Sequence, residues 1–139
     1  MMGAGCEWLV DAYGCDPVAL RSGHLLAAIF DRVIDDLSLH PVAAPLWHQF
    51  PGEAGVTGVV LLSESHLTCH TYPEHGHAAF NLYCCRPREE WPWANVLRDV
   101  LGAADVRVRS ALRGDGRTEG RGRLATALST DPPAVPPSA

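Results

Sequence analysis

Apolar and polar residues alternate along several stretches of this chain, and the alternation predicts β-strands. A strand points successive side chains to opposite faces, so a half-buried strand carries an apolar residue at every second position. Segments with this alternation, or with a dense run of β-branched residues, are residues 7–13, 56–62, 66–72, 77–84 and 105–112. Residues 63–65 and the turn "PEHG" (73–76) leave only short links between the three central strands, which are therefore expected to pair antiparallel.

Two other segments carry apolar residues at helical spacing. Ser22 can cap a helix that runs to about Leu37, and a second helix is predicted from Pro92 to Leu101 with Gly102 as its end. Residues 40–55 contain three prolines and two glycines and are predicted to form a long loop. The order of strand, helix, three strands, helix and strand predicts an α+β fold, with a largely antiparallel sheet and helices on one face.

The size and composition are those of an ordinary soluble domain. The 139 residues suffice for one hydrophobic core, and 47% of them are apolar and 19% charged. A net charge of −5 offers no basic surface for nucleic acid, and no apolar run approaches the roughly 20 residues of a membrane helix. The N-terminus does not have the pattern of a secretory signal. We therefore expect a cytoplasmic protein without nucleic-acid or membrane partners, whose five cysteines are reduced thiols.

The composition also sets a chemical limit and a domain boundary. All eleven basic residues are arginines, so no lysine is present to bind pyridoxal phosphate as a Schiff base, and this cofactor is excluded. After Gly114 the chain becomes rich in glycine and arginine and then in proline. We expect residues 1–113 to form the domain and residues 114–139 to be disordered.

Reactive side chains concentrate in residues 61–85, which hold four of the seven histidines and three of the five cysteines. A metal site is one interpretation, but His66 and His70 would share a strand face from which Cys69 points away. No CxxC or HExxH spacing is present, so we expect no metal. Packing is a second interpretation, because buried cysteines fill a core as small hydrophobes.

Packing does not explain the triplet Glu64-Ser65-His66, which lies where one predicted strand is followed by the next. A strained junction can bring the Ser65 hydroxyl onto the carbonyl of Glu64 and form an ester by an N-to-O acyl shift. Removal of the α-proton then eliminates the ester and cleaves the chain, leaving a dehydroalanine that hydrolyses to a pyruvoyl group. The reaction needs a polar group that stabilises the intermediate and a base such as His70. From the residues alone, this chemistry is one of several open to a serine–histidine pair.

Two short motifs carry a family resemblance. Residues 64–67 read "ESHL" and residues 70–74 read "HTYPE". With these motifs, and with "WLVDAYGCD", "GVTGVVLLSESHL" and "GHAAFNLYCC" around them, the chain resembles the bacterial S-adenosylmethionine decarboxylase proenzymes over roughly residues 7–112. The resemblance implies a two-layer α/β sandwich, a pyruvoyl cofactor made from Ser65, and a homodimer of processed two-chain protomers. It also implies decarboxylation of S-adenosylmethionine, a small-molecule substrate whose product donates aminopropyl groups in spermidine biosynthesis.

The resemblance assigns roles to residues that match the family's positions. Glu64 and Ser65 flank the bond that is cleaved, and Ser65 becomes the pyruvoyl group. His70 matches the base for self-processing, and Thr57 matches a hydroxyl position that assists it. Cys85 matches the thiol that returns a proton to the decarboxylated carbon. A pyruvoyl carbonyl supplies the electron sink that a lysine-bound cofactor otherwise provides, which accounts for a chain without lysine.

The substrate pocket matches the family less closely. Phe50 lies near an aromatic position that stacks on adenine, although the loop after it is about one residue longer here. Asn81 stands where an aspartate is common, and Arg86 where a glycine is common. Relatives of the family decarboxylate ornithine or arginine, and Glu74 or Asp11 would then bind the distal cation. We take Phe50 and Glu74 as the substrate-binding candidates. A structural or regulatory homologue without activity is the remaining alternative.

Overall fold

Six antiparallel strands form one sheet in the computed structural model of the chain, which describes residues 4–114 and residue 116. The strands are β1 (Gly5–Tyr13), β2 (Leu46–Gln49), β3 (Val56–Leu62), β4 (Ser65–Tyr72), β5 (His77–Cys84) and β6 (Asp105–Arg113). Their order across the sheet is β2-β3-β4-β5-β1-β6. Apart from Gly114 and Gly116, the segment predicted to be disordered, 114–139, lies outside the described residues.

Three helices connect these strands. They are α1 (Pro17–Leu20), α2 (Gly23–Asp36) and α3 (Trp93–Leu101). The predicted helix start at Ser22 is confirmed, because the Ser22 hydroxyl accepts a hydrogen bond of 3.1 Å from the Leu25 N–H and so satisfies a free amide of the first turn. Gly102 ends α3 in the left-handed conformation with a φ of 68°, which glycine adopts without steric cost.

Within residues 4–114 and 116, the helices pack against one face of the sheet, and no helix or strand covers the other face. Buried residues alternate with half-exposed ones along β1 and β5, which shows that only one face of each strand meets the core. α2 contributes the buried side chains Leu26, Ile29, Phe30 and Val33. The predicted α+β fold with helices on one side of an antiparallel sheet is therefore confirmed. We call the uncovered side, on which Val59 and Leu61 are 38% and 58% exposed, the open face.

The prediction of a continuous loop over residues 40–55 is wrong, because β2 forms within it and pairs with β3 at the edge of the sheet. Trp47 packs against Phe30 with ring centroids 4.8 Å apart, and its indole also covers the backbone of Gly58 on β3. Prolines on both sides of a four-residue strand hide its local signal, and long-range packing of one tryptophan decides the outcome.

The contact between Trp47 and Gly58 yields a stability test. A methyl group added by Gly58→Ala would overlap the Trp47 ring, so we expect the free energy of unfolding to fall by about 1–3 kcal/mol. Gly23→Ala is the matched control, since a Cβ there meets nothing within 4 Å. Urea denaturation of both variants measures the difference. Equal stability of the two variants would contradict the packing described for β2.

Candidate active site

The junction between β3 and β4 holds its first residue in an unusual backbone conformation. Ser65 has a φ of 147°, in a region that residues other than glycine rarely occupy, although it already pairs with Leu62 and Cys84. Such a conformation costs on the order of 1–3 kcal/mol and persists only where the surrounding structure imposes it. The Glu64–Ser65 peptide is therefore a site of local backbone strain.

The carbonyl group of Glu64 is held from the neighbouring strand. The backbone N–H of Cys85, just beyond the end of β5, donates a hydrogen bond of 2.8 Å to the Glu64 carbonyl oxygen. A donor aimed at a carbonyl oxygen polarises the carbonyl and stabilises negative charge that develops on the oxygen during nucleophilic attack. This geometry prepares the Glu64 carbonyl carbon for attack by a nearby hydroxyl.

The side chain of Glu64 is anchored by residues that the sequence did not indicate. It accepts hydrogen bonds from the backbone N–H of His40, at 3.0 Å, and from the His40 ring, while an Arg88 nitrogen lies 3.9 Å away. Burial raises the pKa of the Glu64 carboxyl group, but the hydrogen bonds from His40 outweigh it and lower the pKa to about 2. The Glu64 carboxylate is thus ionised and is held in place by His40, which lies on the loop that follows α2.

The Ser65 hydroxyl has one histidine within hydrogen-bonding distance among the described contacts. Its Oγ lies 3.2 Å from Nδ1 of His66, the next residue in the chain. A neutral imidazole nitrogen at this distance can accept the hydroxyl proton. The sequence placed His66 beside Ser65 but gave no reason to prefer it over His70 as a base.

His70 lies elsewhere on the same strand. It faces Thr57 across the β3–β4 pair, with 2.6 Å between Thr57 Oγ1 and His70 Nδ1. Burial lowers the pKa of His70, and the nearby Glu74 carboxylate partly opposes this. Five residues of extended chain span about 16 Å, so within one chain His70 does not reach Ser65.

The predicted substrate-binding residues lie with His70 and not with Ser65. The Phe50 ring packs edge-on against the His70 ring, with centroids 5.6 Å apart. Glu74 is exposed on the short 3-10 turn (Pro73–His75) that follows β4. The His70 ring also contacts Tyr72, which stacks in turn on His77. Aromatic rings therefore line this end of the open face, as is suitable for a flat ligand.

A cleft of about 490 Å³ lies on the open face. Thr57 and His70 line one part of it, and Asp11, Asn81 and Arg109 line another. The carboxylate of Asp11 accepts hydrogen bonds of 3.0 Å from both His77 and Arg109. The His77 hydrogen bond is the main reason that the pKa of Asp11 is lowered. Asp11 is thus already paired with cationic or donor groups of the protein.

The two adjacent cysteines occupy different environments. Cys84 is completely buried in the core, where its cross-strand neighbour on β1 is Cys6. Burial raises the pKa of the Cys84 thiol to about 11. Cys85 is exposed next to the Glu64–Ser65 junction, and Arg86 beside it is exposed as well. Of the two thiols, only that of Cys85 is accessible to a ligand.

Within residues 4–114 and 116, no three histidine, cysteine or carboxylate side chains cluster in a way that could hold a metal ion. His66 and His70 share a strand face as predicted, but the hydrogen-bond partners described above engage them separately. None of the helices in the described part of the chain is long and apolar enough to cross a membrane.

Proteins of similar sequence and fold share one description. A family model described as S-adenosylmethionine decarboxylase matches residues 6–114. The S-adenosylmethionine decarboxylase proenzyme of Clostridium tetani is 34% identical over 118 residues, which cover 82% of this chain and 90% of that protein. The proenzyme of Caldicellulosiruptor saccharolyticus is 32% identical over 118 residues, with 82% and 91% covered. The solved structure of the adenosylmethionine decarboxylase from Aquifex aeolicus has a TM-score of 0.68 and 25% identity, covering 85% of this chain and 97% of that chain.

The anchored Glu64 carboxylate predicts a pH-dependent stability. Because its folded pKa of about 2 lies below the ordinary 4.5, its contribution is complete above pH 4.5 and disappears as the pH falls toward 2. In chains that carry Ser65→Ala, which removes the hydroxyl beside the Glu64 carbonyl, Glu64→Gln should therefore lower the unfolding free energy at pH 6 and much less at pH 2. Unfolding curves across this range test it, and His40→Ala should show the same trend. A stability difference that is constant from pH 6 to pH 2 would refute the anchoring by His40.

Proposed function

The chain belongs to the S-adenosylmethionine decarboxylase family, and on this basis we propose which of its residues carry out self-processing and decarboxylation. It is a self-processing decarboxylase proenzyme that acts on S-adenosylmethionine. Ornithine and arginine are not favoured as substrates, and neither is the role of an inactive homologue. We propose that the product is an aminopropyl donor for polyamine synthesis. We also propose that the enzyme works in the cytoplasm, where its free cysteines stay reduced.

The self-processing step is supported mainly by one observation, the hydrogen bond from the Cys85 N–H to the carbonyl of the strained Glu64–Ser65 peptide. Attack by the Ser65 hydroxyl on the Glu64 carbonyl carbon moves negative charge onto the oxygen that this N–H already contacts. The resulting ester releases the backbone from its unfavourable conformation. Loss of the Ser65 α-proton then eliminates the Glu64 carboxylate, which breaks the chain and leaves a dehydroalanine residue. Hydrolysis of this residue releases ammonia and leaves the pyruvoyl group.

The arrangement around Ser65 fits such a group. A pyruvoyl carbonyl, once formed, supplies the electron sink for decarboxylation that a chain without lysine cannot obtain from pyridoxal phosphate. We propose that the exposed thiol of Cys85 donates the proton that the decarboxylated carbon receives. Cys84 is excluded from this role because its side chain is buried in the core.

We propose that the active enzyme is a homodimer whose open faces meet. Within one chain, Ser65 and Cys85 lie at the β3–β4 junction, while His70 lies about 16 Å away along β4, in contact with Thr57 and Phe50. A two-fold axis that runs between the faces and across β4 would bring the His70 end of one copy against the Ser65 end of the other. Val59 and Leu61, exposed side by side on the open face of β3, support this arrangement because they form an apolar surface that a second copy would cover.

The ring of Phe50 is then proposed to stack on the adenine of the substrate and to contact its sulfonium cation. Glu74, on the turn beside His70, is proposed to bind the polar part of the same ligand. Both residues would meet a substrate that is held at Ser65 of the opposite copy. The exposed position of Arg86 lets it remain in solvent, so its positive charge does not oppose a cationic ligand.

Self-cleavage is the primary test of this function. We expect the purified chain to separate into fragments of residues 1–64 and 65–139, the second beginning with a pyruvoyl group, and to release carbon dioxide from S-adenosylmethionine. Intact-mass measurement and a carbon dioxide assay monitor the two events. Ser65→Ala should abolish both, because no hydroxyl remains to attack Glu64. A wild-type chain that stays whole after long incubation, or processed protein that releases carbon dioxide only from ornithine or arginine, would contradict the assignment.

The proposed dimer predicts complementation between two inactive variants. Ser65→Ala cannot be cleaved, and His70→Ala lacks the proposed base, so each alone should remain uncleaved or nearly so. When the two are co-expressed, mixed dimers pair an intact Ser65 with an intact His70. Cleavage should then appear only in the His70→Ala chain, identified by its mass. A mixture in which neither chain is cleaved, although mixed dimers have been isolated, would show that His70 does not act on the opposite copy.

A further inference from the structure

We propose that His66 is the catalytic base that activates the Ser65 hydroxyl, and that Asn81 and Glu7 hold it in the required tautomer. The inference rests on the proposed self-processing and adds a residue to it. His66 is the side chain that contacts the attacking atom, with 3.2 Å between Ser65 Oγ and His66 Nδ1. A positioned imidazole within about 2.6–3.2 Å of a hydroxyl meets the geometric requirement for a general base.

The second ring nitrogen of His66 is held by a chain of side chains across the open face. His66 Nε2 lies 3.1 Å from Asn81 Oδ1, and Asn81 Nδ2 donates to a Glu7 oxygen at 2.8 Å. The other Glu7 oxygen accepts a hydrogen bond of 2.7 Å from Arg113. The chain therefore runs from β4 through β5 and β1 to β6, on neighbouring strands of one sheet.

The order of donors and acceptors in this series of hydrogen bonds determines the tautomer of His66. A Glu7 carboxylate paired with the Arg113 guanidinium offers only acceptors, so the Asn81 group that faces it must be the amide NH₂. The Asn81 oxygen then faces His66 Nε2, which must carry the hydrogen. In the neutral ring Nδ1 is consequently the unprotonated nitrogen, and it faces the Ser65 hydroxyl.

Packing fixes the orientation of the imidazole as well. The His66 ring lies 5.8 Å from the ring of Tyr83, its cross-strand neighbour. The Arg113 guanidinium covers the Tyr83 ring at 5.4 Å. On β1, Gly5 makes room for Tyr83, since a Cβ at this position would lie 2.7 Å from the tyrosine ring. Contacts on both ring nitrogens and on Tyr83 thus hold the base in place.

The proposed step is balanced in atoms and protons. Nδ1 of His66 takes the hydroxyl proton while Ser65 Oγ bonds to the Glu64 carbonyl carbon, and the Cys85 N–H stabilises the charged oxygen. His66 then returns the proton to the Ser65 nitrogen as the carbon–nitrogen bond breaks. An amide and a hydroxyl become an ester and an amine, and His66 ends unchanged. The later removal of the α-proton remains with His70.

The hydrogen bonds from His66 through Asn81 to Glu7, which we call the relay, also explain why an asparagine replaces the aspartate that is common at position 81 in the family. A carboxylate at this position would face the Glu7 carboxylate directly, whereas the amide donates to Glu7 and accepts from His66 at the same time. The residue therefore acts as a positioning residue for the base, and its exchange does not by itself alter the substrate.

His66→Gln tests the proposal, because glutamine keeps a polar side chain but cannot accept a proton at neutral pH. We expect the first-order rate of self-cleavage to fall at least about 100-fold, while thermal unfolding shows a folded protein. Neutral hydroxylamine cleaves an ester but not a peptide bond, so it distinguishes a block before the acyl shift from one after it. The uncleaved His66→Gln chain should resist hydroxylamine. His75→Ala, an exposed histidine on the turn after β4, is the matched control and should cleave normally.

A pair of Asn81 variants tests the relay in the same assay. Asn81→Leu removes the acceptor for His66 Nε2 and should slow cleavage by at least about tenfold, whereas Asn81→Asp keeps an acceptor and should be slowed less. Cleavage of His66→Gln at the wild-type rate would overturn the inference and leave the proposed function intact. So would a hydroxylamine-sensitive ester in that variant, because the acyl shift would then have occurred without the base. A wild-type chain that never cleaves would overturn both.

Discussion

The hydrogen bond from the Cys85 N–H to the Glu64 carbonyl joins the end of β5 to the start of β4, and the arrangement of the active site depends on it. It is the last link of a ladder that already pairs Ser65 with Cys84. Without it the carbonyl of the strained peptide would be free to rotate away from the Ser65 hydroxyl. The same bond brings the exposed Cys85 thiol beside Ser65. One backbone contact thus serves the proposed cleavage and also holds the proposed proton donor close to Ser65.

Strain at Ser65 is possible because other contacts hold both sides of the junction. On one side, the Glu64 carboxylate is fixed by His40, and the Ser63 N–H donates to the His40 carbonyl oxygen at 2.8 Å. On the other side, β4 is paired along its length with β3 and β5. A residue with a φ of 147° would relax if either side were loose. The contacts on both sides therefore keep the strain in this peptide while the chain is folded.

The proposed site consists of two separate groups of residues. The group at Ser65 contains the reacting bond, its hydrogen-bond donor and the histidine that contacts the hydroxyl. The group at His70 contains aromatic rings and Glu74, which are suited to bind a flat, polar ligand. A sheet that packs helices on only one face leaves both groups accessible and gives a second copy a surface on which to bring them together. This is why the proposed mechanism and the proposed dimer depend on each other.

Local pattern determined much of the fold. Alternation located five of the six strands of the described region because each runs for seven or more residues with one buried face, and the helices were marked by Ser22 and Gly102 as end signals. The motifs "ESHL" and "HTYPE" indicated the family and, through it, the chemistry, because their residues are adjacent in the chain and need no tertiary structure to be recognised.

Tertiary structure alone decided which distant residues meet. The His40–Glu64 contact joins residues 24 apart, and the Asn81–Glu7 contact joins residues 74 apart, so neither has a local signal. β2 was missed because the burial of Trp47 against Phe30 and Gly58, and not its own four residues, stabilises it. The distance between His70 and Ser65 was likewise hidden, since a motif is compact in sequence but an extended strand separates its members by about 3.3 Å per residue. Periodicity reports which face a side chain takes, whereas the register between strands decides what it touches there.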